Sequence, residues 1–206
     1  MDGRKPNRLH KFDYTQERLY FITSCVKNRV QYFGEIRHGE MKHNPFGLIV
    51  IDQWKWLLNQ YPYLVSHAFV VMPDHIHAVL QINRGRIAAA AGTGRDLSLH
   101  GGRDLSQQGA LQTSESNRPP QPPIKIKPLS QLIGAFKTTV SKKIHLKGGV
   151  DFVWQRSFFD RIIRNEVEYK RIIEYIQSNP ANWDENEWDI WSTMVLIEMN
   201  GHFELL

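Results

Sequence analysis

The placement of apolar and polar residues along this chain divides it into strand-like and helix-like stretches separated by turn signals. Leu19–Val26 (LYFITSCV) is rich in β-branched and aromatic residues and reads as a first core strand, closed by Lys27-Asn28-Arg29. Glycines at 34 and 39 punctuate a short hairpin over residues 33–41. Apolar positions Ile49, Trp54, Leu57 and Leu58 then follow helical spacing, and the pattern predicts a helix from about Pro45 to Gln60 that ends at Tyr61-Pro62. Ala68–Met72 and His75–Ile82 read as two strands joined by the tight corner Pro73-Asp74. A second helix is expected to open at Pro128-Leu129-Ser130 and run to about Leu146, with Leu132, Ile133, Phe136, Val140 and Ile144 inward and Lys137, Lys142 and Lys143 outward. A strand near Phe159–Ile163 follows, then a helix capped by Asn165 and stopped before Pro180, packing Val167, Ile172, Ile173 and Ile176 on the sheet. Strands mixed with helices in this order imply an α+β sandwich, with a mainly antiparallel sheet and helices packed on one face.

Residues 85–123 break the pattern. They are rich in Ala, Gly, Gln, Ser and Pro, nearly lack aliphatic periodicity, and repeat Gly94-Arg95-Asp96-Leu97-Ser98 as Gly102-Arg103-Asp104-Leu105-Ser106. Such a segment buries too little surface to fold alone, so it is expected to be a flexible insertion in one domain spanning 1–206. Two copies of a short repeat do not make a solenoid.

Composition narrows the function classes. The chain has 206 residues and carries a net +5, but residues 184–206 hold six acids and no Lys or Arg. The remaining 183 residues therefore carry 26 basic and 15 acidic side chains, an excess of +11, which suits a polyanionic partner. The basic end of the first strand, Lys27 and Arg29, and the mixture of Lys137 and Lys142 with Thr138, Thr139 and Ser141 suit phosphate. No apolar run is long enough to span a membrane and the N-terminal stretch has no signal-like apolar core, so a cytoplasmic protein with no membrane partner is expected. A single cysteine, Cys25, excludes an internal disulfide and a cysteine-rich zinc site. Metal chemistry would then fall to His, Asn, Gln and carboxylates, which favours a hard divalent ion.

The strongest chemical signal is the strand at 75–82. Side chains at i and i+2 of a strand share a face, so His75 and His77 project together from an otherwise apolar segment. Two imidazoles are costly to bury there without an acid or a metal ion. Tyr175 and Asn179 stand one turn apart on the last helix, stacked on one face. Tyr169, six residues before Tyr175, is about 240° round the helix at about 100° per residue.

Val71-Met72-Pro73-Asp74-His75-Ile76-His77 resembles the histidine-hydrophobe-histidine motif of single-tyrosine transposases. Trp154-Gln155-Arg156, Arg161-Ile162-Ile163-Arg164-Asn165-Glu166 and Tyr175-Ile176-Gln177-Ser178-Asn179-Pro180 resemble, in the same order, the C-terminal signature of the REP-associated tyrosine transposases. The resemblance covers most of residues 12–190 outside the insertion, and the two blocks together are far more specific than either alone. It implies a ferredoxin-like fold, Tyr175 as nucleophile, and His75, His77 and Asn179 as ligands of Mg²⁺ or Mn²⁺. The position of Asn179 is often Gln in related enzymes, and the shorter side chain leaves the third ligand open. Arg156 and Arg161 join Lys27, Arg29, Lys137 and Lys142 as expected DNA contacts.

The implied reaction is cleavage and rejoining of hairpin-containing single-stranded DNA through a 5′-phosphotyrosine. An ion polarises the scissile phosphate, and the bond energy is kept in the linkage, which agrees with the absence of a P-loop motif. Two other classes stay open: a DNA-binding regulator without catalysis, and a nuclease that activates water with its metal. The sequence leaves monomer and homodimer equally open.

Overall fold

The computed structural model describes residues 12–86 and 125–183. Seven of the eight residues in His75–Ile82 are buried, and a strand buried on both faces needs a layer on each side. That requirement organises the architecture. In chain order the elements are β1 (Leu19–Cys25), β2 (Gly34–Arg37), β3 (Glu40–His43), α1 (Pro45–Gln60), β4 (Leu64–Val71), β5 (His75–Ile82), α2 (Leu129–Leu146), β6 (Phe159–Ile163) and α3 (Glu166–Ser178). The main sheet runs β4-β5-β1-β6 with every neighbouring pair antiparallel, while β2 and β3 form a separate ribbon. Without the ribbon the order β1-α1-β4-β5-α2-β6 is the β-α-β-β-α-β unit of a ferredoxin-like fold, followed by the additional helix α3.

The expected α+β class with a mainly antiparallel sheet is therefore present, but the helices flank both faces of the sheet. Tyr20 and Ile22 of β1 and Ile76, Ala78, Leu80 and Ile82 of β5 join one core with Trp54 and Leu57 of α1 and Leu132, Phe136 and Val140 of α2. The alternate residues Phe21 and Val79 join a second core with Ile163, Ile172 and Ile176, so α3 covers the opposite face. Period-two patterning shows which residues share a face; it does not say which helix covers each, because both faces are apolar.

Several boundaries follow local signals. Asn44 caps α1 by accepting from the backbone N–H groups of Phe46 at 2.9 Å and Gly47 at 3.0 Å, with Pro45 in the first turn. Asn165 caps α3 through the Glu168 N–H at 2.8 Å. Other features differ from the sequence reading. β4 starts at Leu64 rather than Ala68, because a bulge between Ser66 and Ala68 interrupts the alternation. Val167 is 62% exposed instead of packing on the sheet. The insertion, apart from Gly85 and Arg86, lies outside the described residues. Among the described residues no helix is long and apolar enough to cross a membrane.

Candidate active site

Antiparallel register places the candidate chemistry at one end of the sheet. Thr23 pairs with His77 and Cys25 with His75, so these four residues share the face that α3 covers. The corner Pro73-Asp74 is tied down by backbone bonds from Val26 N–H to the Asp74 carbonyl at 2.8 Å and from Phe33 N–H to the Pro73 carbonyl at 2.9 Å. The first histidine therefore enters from a fixed point.

Both histidines are buried, His75 fully and His77 with 2% exposure. Their inner nitrogens are occupied. His75 Nδ1 lies 2.7 Å from Asp74 Oδ1, and His77 Nδ1 lies 2.8 Å from the Thr23 hydroxyl. An ionised carboxylate only accepts, so His75 donates from Nδ1 and its Nε2 is left as a bare lone pair. The two Nε2 atoms face each other at 3.0 Å, and the Tyr175 hydroxyl is 3.1 Å from His77 Nε2. Phe21 stacks on the His77 ring and meets the Tyr175 ring edge-on, which fixes both rings beside α3. Trp183 stacks on His75 at 5.6 Å between centroids.

Burial decides the charge states. It holds both imidazoles neutral, well below the ordinary histidine value, and His77 is depressed further by His75 and Arg29. It pushes the Asp74 carboxyl up to about 6 against the opposing pull of Arg29, whose Nε lies 2.9 Å from Asp74 Oδ2. Tyr175 is raised by burial, an effect partly offset by its hydrogen bond with Asn179 and by Arg29. Cys25 is pushed up to about 11 by burial, so it stays a thiol at neutral pH.

The pair of Nε2 atoms suits a cation. Two facing imidazole nitrogens 3.0 Å apart are placed to serve as neighbouring ligands of one cation. A carboxylate or hydroxyl on the remote ring nitrogen is the usual support of metal-binding histidines. Among the described residues no group of three His, Cys, Asp or Glu side chains could hold a metal ion, so a third ligand drawn from those residues would be of another type. Asn179 is near enough to hydrogen-bond the Tyr175 hydroxyl.

The residues expected from the sequence separate into three groups. His75, His77, Tyr175 and Asn179 converge. Arg29 reaches the same place, as the partner of Asp74, with Nη2 3.4 Å from His75 Nδ1. Lys27, Lys137 and Arg156 line cavities nearby, and Lys142 is exposed on α2. Arg161 is drawn elsewhere, into a part-buried ion pair with Glu168 at 2.6 Å. Lys137 is not the freely solvated lysine its helix position suggests. Its amine donates to the Gln155 carbonyl at 2.6 Å and sits over the Trp154 ring, and burial pushes its value down to about 8. Tyr169 also packs toward the sheet, but its hydroxyl meets His67 Nδ1 at 3.1 Å, near the end of β5 remote from His77. Sequence reasoning missed Thr23, Phe21 and the support given by Asp74 to His75. Only Asp74, beside the histidine in the motif, had a local signal.

No family model matches the chain. It is 31% identical over 185 residues to a Haemophilus influenzae protein described only as uncharacterized, a match covering 89% of this chain and 92% of that one. Its fold is similar to the structure of a REP-associated tyrosine transposase bound to a REP hairpin, with TM-score 0.50 and 16% identity. That similarity covers 86% of this chain and 76% of the transposase. At that identity the likeness shows a shared fold.

Proposed function

The chain belongs to the family of the Haemophilus influenzae protein, and we propose that it cleaves and rejoins single-stranded DNA through a tyrosine nucleophile, Tyr175. One observation carries this reading: the Tyr175 hydroxyl lies 3.1 Å from a histidine nitrogen that itself faces a second one at 3.0 Å. A phenol aimed at a two-nitrogen cation seat is the arrangement phosphodiester transfer to tyrosine requires. The motifs at 71–77 and 154–180 and the excess of basic residues support it.

His75 and His77 would hold Mg²⁺ or Mn²⁺, with Asn179 as the candidate third ligand. Such an ion, when bound, polarises the scissile phosphate and stabilises its developing charge. Asp74 and Thr23 keep the outer nitrogens of both rings directed at that position, and α3 holds the phenol against it. Attack forms the bond from Tyr175 oxygen to phosphorus and breaks the bond to the 3′-oxygen. The phenolic proton ends, overall, on that oxygen. The product is a 5′-phosphotyrosine with a free 3′-hydroxyl, ready for the reverse attack. The structurally similar transposase is bound to a REP hairpin, so hairpin-containing single-stranded DNA is the substrate we infer.

The test is incubation with 5′- and 3′-labelled single-stranded hairpin DNA plus Mg²⁺ or Mn²⁺. We expect an adduct carrying the 3′-side fragment on Tyr175. Tight binding with no adduct would favour a regulator, and cleavage by Tyr175→Phe would favour activated water.

A further inference from the structure

Two consecutive residues at the start of α3 reach opposite edges of the sheet. Glu168 pairs with Arg161 on β6 at 2.6 Å, and the Tyr169 hydroxyl lies 3.1 Å from His67 Nδ1 on β4. These are the two outer strands of the order β4-β5-β1-β6. The chemistry above makes no use of the second contact.

The partners fix its direction. His67 Nε2 lies 2.9 Å from Gln81 Oε1, a carbonyl oxygen that only accepts, so Nε2 carries the proton and Nδ1 is left as a lone pair. The Tyr169 hydroxyl therefore donates to Nδ1. The two rings also meet edge-on, with 5.6 Å between centroids and 88° between planes. A β-bulge makes the contact possible. Ser66 pairs with Leu80 and Ala68 with Val79, so His67 is the extra residue of β4. Ser66 accepts from Trp54 of α1 on one face, Ala68 packs in the second core on the other, and the extra residue leaves His67 on the side of α3 as well. Gln81 extends from β5 on the face that carries His75 and His77.

Ile172 and Ile176 hold α3 to the sheet by apolar contact, which is non-directional and does not by itself stop the helix rolling about its axis. Tethers on residues about 100° apart, drawn to opposite edges, remove that freedom. Tyr175 lies six residues beyond Tyr169, about 9 Å along the axis, so it inherits the roll set there. A roll of about 20° carries a side-chain tip roughly 6 Å from the axis through about 2 Å. A misplacement of about 1 Å can cost about a hundredfold in rate.

We propose that Tyr169, His67 and Gln81 brace α3 against the β4 edge and, opposite the ion pair of Arg161 with Glu168, fix the roll that aims Tyr175 at His77. Tyr169 and His67 are then positioning residues. This rests on the reading of Tyr175 as the nucleophile. The hydrogen bond is exposed and neutral, and its net worth corresponds to about a fivefold shift in population, which bounds the effect of losing it.

The test measures adduct formation on hairpin DNA with Mn²⁺, and the ¹⁵N signals of the His77 ring, in the parent and in Tyr169→Phe, His67→Ala and His67→Gln. In Tyr169→Phe the rate at saturating DNA should fall about fivefold, with the half-saturating DNA concentration unchanged and the melting temperature lower by about 2–4 °C. His67→Ala should match it. His67→Gln should recover most of the rate, since its side-chain carbonyl can accept the phenol proton. The double variant of Tyr169→Phe with His67→Ala should be no slower than either single change. The His77 signals should move in Tyr169→Phe, in the direction that Tyr175→Phe moves them, although the altered hydroxyl lies near the other end of β5. Unmoved His77 signals, or additive losses in the double variant, would overturn the proposal. If the parent forms no adduct, moved His77 signals uphold the brace and remove the catalytic reading alone. An adduct on Tyr175 with unmoved signals removes the brace alone.

Discussion

His75 and His77 present their outer nitrogens to one point because Asp74 and Thr23 occupy the inner ones. Replacement of either histidine by alanine should abolish the adduct, and isothermal titration should show loss of Mn²⁺ binding. The rings are buried, so these variants should also lose about 2 kcal/mol of stability, and His77→Gln serves as the less disruptive version. Retained cleavage with both histidines removed would refute the cation seat. Tyr175→Phe loses the hydroxyl contacts with His77 and Asn179, worth about 1 kcal/mol each, and keeps its packing on Phe21, so it should fold, bind hairpin DNA and form no adduct. Lys137 gives a pH signature. Its folded value is lowered from 10.5 to about 8 by burial, so its positive charge disappears as pH rises through about 8. Hairpin affinity should therefore decline above about pH 8, and Lys137→Arg should remove that decline. Its effect on folding has the opposite sign: the cost of the buried cation is present below about pH 8 and relieved between about 8 and 10.5. A flat affinity profile from pH 7 to 9.5 would exclude Lys137 from DNA contact.

At the scale of elements, α3 sets the distance between Tyr175, the proposed nucleophile, and the two histidines. Its N-terminus is held by Asn165, and Glu168 ties the helix to Arg161 on β6 and to the Arg164 N–H at 2.8 Å. Asn165→Ala should cost about 1 kcal/mol by exposing an unsatisfied helix donor. If helix position matters for attack, adduct formation should slow in this variant while Mn²⁺ affinity stays near that of the parent. Equal loss of both would mean that the change propagates to β5 instead. The ends of α1, β6 and α3 were legible in the sequence because their signals are local: an asparagine cap, a proline in the first turn, a proline beyond the last. The start of β4 was not, since a bulge shifts the side-chain phase that the eye follows along a strand.

On the scale of the whole molecule, the two ends of the insertion meet at one place. Arg86 donates to the Leu64 carbonyl at 3.2 Å, and Lys127 N–H donates to the Tyr63 hydroxyl at 3.1 Å. Anchors on successive residues mean that a short connection can replace what lies between them. Substituting residues 88–123 by a short Gly/Ser linker should leave melting temperature and adduct yield unchanged; a large fall in either would assign the segment a docking or DNA-reading role. The uneven charge acts at this scale too: it would draw a polyanion such as the proposed DNA substrate to the body of the chain without specifying where it lies.

Residue order alone determined the period of each element, the pairing of His75 with His77 on one face, and the spacing of Tyr175 and Asn179 by one turn. Those are properties of covalent geometry, repeating every two residues in a strand and about 3.6 in a helix. Tertiary structure decided the rest, because contacts across 98 residues leave no trace in local periodicity. Register brought Thr23 opposite His77, and sheet order put β1 between β5 and β6. Placement of α3 on the face away from α1 and α2 turned two buried histidines and a helix tyrosine into neighbours, since a second apolar sheet face had to be covered and, among the described residues, α3 is the helix that covers it.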